Sequence, residues 1–416
     1  MKWLVASIAV ACYLLDLALI VLNRGYSQRP LPAEVRDVYD EGLYRRWQSY
    51  FFETQRFALV RSTVNLLVHL AFLLVLAEPL SHWTGRLNVH PIWQSLLFLG
   101  IYYTLTTALA IPLDAYRIFS IEERHGFNRR TVKMYVRDLL VSYAASLGLG
   151  AVLVGGAHGL YLRFGGRLWT FLLVLGAASL AVLLLARAFW GRISIRLFYK
   201  PRPLPPGTLR SRIEELAAAH GFNARSIAVI DTSTRSSKLN ALFTGLGRTR
   251  EVMFFDTLLD KLSEDEIVTV IAHELGHAVH GDMLGRAVRL GVGSALYALG
   301  MGLVLSSPGL FKGFGWPEVH FGLAVVLFQI LFVPVGLVWG IVGNYFSRRE
   351  EYRADRFAAE NTDPQWTISG LKSMHRENLI NLNPHPLSVL LYASHPTLGQ
   401  RIRALGRVGV KGSTAG

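Results

Sequence analysis

The run His273-Glu274-Leu275-Gly276-His277 sets two histidines four residues apart, with a glutamate directly after the first. On a helix, residues at that spacing differ by about 40° around the axis, so both imidazoles point to one side and can share one metal ion. Zinc takes such nitrogens at roughly 2.0–2.1 Å. Glu274 then lies where a general base must be to take a proton from water activated by the ion. A third ligand is needed, and the run Ser347-Arg348-Arg349-Glu350-Glu351-Tyr352-Arg353-Ala354-Asp355 offers carboxylates. Glu351 and Asp355 are again four apart, so one can ligate while the other holds a ligand histidine by its free N–H. Spacing alone does not choose Glu351 over Glu350, and it is also compatible with a solvated helix laced by Glu–Arg pairs.

These residues need rigid elements beneath them. Ser263 and Glu266 form the two ends of a capping box, and Ile267, Val268, Val270, Ile271 and Leu275 supply an apolar face. The histidine pair is therefore expected on a capped amphipathic helix. The rest of the chain is another matter. Of 416 residues, 51% are hydrophobic and only 17% charged, yet the net charge is +14. Soluble domains carry about 25% charged residues, and disordered chains lack this apolar content. The single cysteine, Cys12, excludes a disulfide framework and Cys-based metal sites.

Seven apolar stretches are long enough to cross a bilayer, at about 3–22, 63–80, 92–113, 139–162, 168–189, 287–305 and 321–342. The first is too long for a signal-peptide core and is read as a retained span. Trp3, Trp83, Trp93, Trp169 and Trp190 fall near their ends, as an interfacial belt requires. Seven basic residues separate spans one and two, and one (Arg86) separates two and three. Arg117, Arg124, Arg129, Arg130, Lys133 and Arg137 then separate three and four, whereas Arg163 and Arg167 alone separate four and five. The alternation places the N-terminus outside and the C-terminus and all large polar segments in the cytoplasm. The positive charge is thus a topology and lipid signal, with no nucleic-acid partner implied. His280, His69 and His158 have no partner that would make them ligands.

Further motifs are separated along the chain: IEERHGFN at 121–128, SKLNALF at 237–243, the Asn344 to Asp355 segment, Glu377-Asn378-Leu379 with Asn383-Pro384-His385-Pro386, and Ser394-His395-Pro396 followed by Arg401-Ile402. With the histidine motif they resemble the Ste24-type CaaX prenyl proteases, within the membrane zinc metalloproteases that also include HtpX. The resemblance runs from the first span to about residue 405. It implies a mainly α integral membrane protein, seven transmembrane helices forming a barrel around a chamber, with a zincin-like catalytic part and a small β-sheet. It implies one Zn²⁺ per chain on His273, His277 and Glu351, with Asp355 behind a histidine. Glu274, His395 and Arg401 would be catalytic, the last two steadying an oxyanion. Asn240, Ala241 and Leu242 would bind substrate backbone along a strand.

The expected activity is zinc-dependent endoproteolysis near the C-terminus of protein or peptide substrates, isoprenylated CaaX-type ends among them. The alternatives are an HtpX-like quality-control protease and an inactive zinc-binding scaffold. The expected division is 1–190 for five spans, 191–285 for the catalytic segment, 286–345 for spans six and seven, and 346–416 for a cytoplasmic helical segment. Arginine far outnumbers lysine and the tail shows no K-D-E-L or H-D-E-L signal, which leans toward a prokaryotic plasma membrane, with the ER membrane as the eukaryotic counterpart.

Overall fold

The computed structural model describes residues 1–222, 227–244, 251–316 and 318–413. Five long helices come first: α1 (Lys2–Tyr26), α2 (Glu41–Gly85), α3 (Pro91–Glu122), α4 (Val132–Phe164) and α5 (Leu168–Phe198). Their starts follow from local chemistry. The Asp40 carboxylate accepts the Leu43 N–H at 2.7 Å, and the Thr131 hydroxyl accepts the Met134 N–H at 3.2 Å, each satisfying a donor that the first turn leaves free. The second apolar stretch, expected at 63–80, is the far half of a helix that starts at Glu41 and continues through a π turn at Phe72–Leu76. Trp3, Trp83, Trp93 and Trp169 are exposed, and all four fall at the same end of the antiparallel spans. The Trp190 side chain lies outside the described residues.

A small sheet and its helices follow. They comprise β1 (Arg202–Pro203), α6 (Thr208–Ala219), β2 (Ile227–Ile230), β3 (Ala241–Thr244), β4 (Glu251–Phe255), α7 (Asp256–Lys261) and α8 (Glu264–Val279). The strand order is β1-β2-β4-β3, with β2 and β4 parallel and the outer pairs antiparallel. Ile213, Ile227, Phe254, Leu258 and Ile271 close the core between sheet and helices, each such side chain contributing about 1.5–3 kcal/mol by burial. The chain then enters α9 (Asp282–Leu305), a short α10 (Pro308–Lys312), α11 (Phe321–Leu331) and α12 (Val333–Asn361). It ends with α13 (Pro364–Glu377), α14 (Pro386–Tyr392) and α15 (Leu398–Ser413).

Six helices are long and apolar enough to span a membrane, and α11 with α12 makes a seventh that is bent by 51°. The sequence suggested one straight span at 321–342. Pro334 explains the bend, since it lacks an N–H and its ring collides with the carbonyl one turn back. α12 then runs without interruption past position 345 and out of the apolar stretch to Asn361. Helices α4, α5, α9, α11 and α12 line a cavity of about 1280 Å³. Its walls are mostly apolar, with Arg286, Arg289 and Asn344 among the polar exceptions.

Candidate active site

Helix α8 begins as its sequence dictates: the Ser263 hydroxyl accepts the Glu266 N–H, and the Glu266 carboxylate accepts the Ser263 N–H. Its buried face (Ile267, Val268, Ile271, Leu275) packs on the sheet core, which leaves His273 and His277 on the other side. There α12 crosses closely. A Cβ on Gly276 would lie 3.1 Å from both the Ala354 backbone and the Phe357 side chain, so the glycine of the motif is what lets α12 approach. That approach carries Glu351 to the histidines.

The Glu351 carboxylate stands 3.4 Å from His273 Nε2 and 3.3 Å from His277 Nε2, and the three residues bring one ligand atom each within 4.8 Å of the others. Two ligands roughly 2.0–2.1 Å from one tetrahedral ion lie about 3.4 Å apart, so the spacing fits a divalent metal. Glu351 Oε2 is buried without a hydrogen-bond partner, an acceptor awaiting a cation. The neighbouring glutamate faces elsewhere. Glu350 accepts from Arg286 Nε at 2.7 Å and Arg289 Nη2 at 2.5 Å, because successive helix residues point about 100° apart.

Behind the histidines stand carboxylates. Asp355 lies 2.9 Å from His273 Nδ1 and also takes both Arg401 Nε (2.8 Å) and Nη2 (2.5 Å). Asp282 lies 2.9 Å from His277 Nδ1 and pairs with Arg353. Asp282 is a residue that sequence reasoning missed. Its only signal is its place directly after Gly281, whose φ of +65° ends α8 and turns the chain back. Replacing Asp282 with Ala should lower metal affinity about 10–100-fold, measured by chelator competition on the purified protein.

Burial would lower the His273 imidazole, but the Asp355 carboxylate that accepts from Nδ1 and the nearby Glu351 carboxylate outweigh it and raise it to about 10. Burial lifts the Glu274 carboxyl above its ordinary range, with His273 and His277 opposing, a direction that suits a group that must accept a proton near neutrality. The exposed His395 places Nε2 3.4 Å from Glu351, its Nδ1 tied to the Ser394 hydroxyl at 2.9 Å. Arg401 is buried, with Nη2 3.7 Å from Glu351. His280 is exposed and its Nδ1 contacts the Gly276 carbonyl, away from the ligand set.

Asn240 and Ala241 line a 140 Å³ cleft together with His273, Glu274, His395 and Arg401. Thr367, Leu371 and Met374 of α13 also line the cleft. β3 pairs only with β4, so its other edge is unpaired among the described residues. The Asn240 carbonyl accepts the Phe255 N–H at 3.1 Å; by alternation along an antiparallel pair, the backbone groups of Ala241 face the open edge and those of Leu242 face β4. The Leu242 side chain lies outside the described set.

Residues 203–408 match the family described as Peptidase family M48, and residues 23–191 match the CAAX prenyl protease N-terminal region of five membrane helices. The chain is 30% identical over 391 residues to the CAAX prenyl protease 1 homolog of Arabidopsis thaliana, covering 90% of each. It is 29% identical over 413 residues to CAAX prenyl protease 1 of Saccharomyces cerevisiae, covering 92% of this chain and 90% of that one. The crystal structure of S. mikatae Ste24p has a TM-score of 0.91 and 27% identity, with 97% of this chain and 98% of that one covered.

Proposed function

Because the chain belongs to the CAAX prenyl protease group of peptidase family M48, and is accordingly a multi-pass membrane metallopeptidase, we propose that its metal is zinc and that His273, His277 and Glu351 hold it. The observation that carries this is the 3.3–3.4 Å spacing of the two Nε2 atoms from the Glu351 carboxylate, whose Oε2 is buried without a hydrogen bond. Asp355 and Asp282 fix the two rings by their Nδ1 atoms, so each presents Nε2 to the ion. Bound there, zinc supplies a Lewis acid and lowers the pKa of water.

The remaining steps belong to the side chains. An extended substrate runs along Asn240, Ala241 and Leu242 and pairs through Ala241, whose backbone groups face the open edge. Glu274 takes the proton as water attacks the scissile carbonyl and returns it to the departing amine. His395 and Arg401 face the carbonyl oxygen as it gains charge. Arg401 has Nε and Nη2 committed to Asp355, so His395 is the freer donor of the two.

The relatives' names support a substrate class of protein or peptide C-termini, isoprenylated CaaX-type ends among them. The charge alternation supports a site on the cytoplasmic side, and arginine usage supports a prokaryotic plasma membrane. A quality-control protease of the HtpX kind would account for the metal residues and leave the five N-terminal membrane helices unexplained. The test uses a farnesylated CaaX peptide and its unmodified twin. Cleavage should stop with a chelator and return with zinc, and the farnesylated peptide should be cut faster. Equal rates would remove the prenyl preference, and chelator-resistant cleavage would remove the metal.

A further inference from the structure

Three sequence motifs have no part in the metal site: IEERHGFN at 121–128, the Ser236 to Leu239 run, and Glu377-Asn378-Leu379. The fold brings them to one place, the four residues that lead into β3. From the membrane side, the Ser237 N–H donates to the Phe127 carbonyl at 3.2 Å and its hydroxyl to the Gly126 carbonyl at 2.9 Å. Lys238 Nζ reaches the Tyr50 hydroxyl at 2.9 Å and Glu122 at 3.1 Å. From the opposite side comes Asn378, which caps α13. Its Oδ1 accepts the Leu239 N–H at 2.8 Å and its Nδ2 donates to the Leu239 carbonyl at 3.0 Å. One side chain thus takes both backbone groups of one residue, as a neighbouring strand would.

Leu379, next in the chain, is the one non-glycine residue with positive φ (49°) among those described, and it is buried. Tyr39 holds that turn by donating its hydroxyl to the carbonyls of His375 and Ile380. An unfavourable backbone conformation held by its surroundings marks a position that the structure over-determines.

We propose that Asn378 is a positioning residue for peptide cleavage, acting through Leu239 on the open edge of β3. The inference rests on the reading of the site as a peptidase with β3 as its substrate strand. Ala241, whose backbone faces the open edge, is two residues beyond Leu239, about 7 Å along a strand. β3 has a partner on one side only, so its lead-in is where its height can be fixed. α13 also lines the cleft through Thr367, Leu371 and Met374. Asn378 therefore ties the lead-in of β3 to α13 and gauges the distance between them, where displacements near 1 Å can cost 100-fold in rate.

The test compares full-length, zinc-loaded protein in detergent as wild type, Asn378→Ala and Asn378→Asp. Two competitive ligands are titrated: a peptidyl hydroxamate that spans the cleft, and acetohydroxamate, which needs the metal alone. Asn378→Ala should weaken the peptidyl compound about tenfold or more, leave acetohydroxamate within about twofold, and keep full metal content. In Asn378→Asp the ionised side chain still accepts the Leu239 N–H but repels its carbonyl, and protonation restores a donor. Its peptide affinity relative to wild type should climb as pH falls through the carboxylate range. Equal weakening of both ligands, or undiminished peptide binding, overturns the proposal. If Asn378→Ala does not fold, a pH-independent ratio for Asn378→Asp overturns it instead. Wild-type protein that binds acetohydroxamate but no peptidyl compound would sink the peptidase reading itself.

Discussion

Replacing Glu274 with Gln should abolish peptide cleavage, by about 10²–10⁴-fold, while the protein keeps its metal. The substitution preserves shape and the position beside His273 on α8 but removes the carboxylate that takes the proton in the proposed mechanism. The carboxyl is also set apart from the ligand trio, which is His273, His277 and Glu351. Metal content by elemental analysis should match wild type within error. Near-normal turnover in this variant would mean that another group moves the proton, and the mechanism would fall.

Glu351→Ala should have the opposite signature, an empty site in an otherwise folded protein. Both histidines meet this one carboxylate, and the loss should exceed the ~100-fold expected at most for a supporting carboxylate such as Asp282. The residue beside it gives the control. Glu350→Ala leaves the metal pocket intact but strips the shared partner from Arg286 and Arg289, a break that costs about 3–5 kcal/mol where such pairs are buried. Two adjacent glutamates should therefore fail differently, one in metal content and the other in thermal stability. A Glu351→Ala protein that still carried one tightly held zinc would refute the ligand assignment.

How much of this was written in the sequence varies by residue. The histidine helix was legible because its signals are local: a capping box, a helical apolar period and a four-residue spacing, all found as expected. The seven apolar stretches were legible for similar reasons, whereas the small sheet was expected only from the resemblance to a family. The choice between Glu350 and Glu351 was not, because it depends on how α12 is rotated against α8, and that is set by the contact at Gly276. The resemblance to a family chose Glu351 where spacing did not choose, and Glu351 is the carboxylate that stands beside both histidines. Asp282 was invisible because its role depends on a reversal of chain direction at Gly281. The long α2 was hidden because its first half, from Glu41, is polar where it packs on other protein through Trp47 and Phe51. The bend at Pro334 was foreseeable from the residue type, yet an averaged hydropathy does not register one proline in an apolar run.

The unbroken course of α12 has a consequence for how the two halves of the molecule are tied together. Val333 stands at the membrane bend and Glu351 at the metal pocket, on one helix without a joint. The eighteen residue steps from one to the other measure about 27 Å at 1.5 Å per residue. A helix transmits phase as well as distance. One residue gained or lost along that shaft would turn Glu351 by about 100° and bring its neighbour round in its stead. The bilayer portion and the hydrolytic portion are thus keyed like a shaft in its slot, and their lengths can change only together.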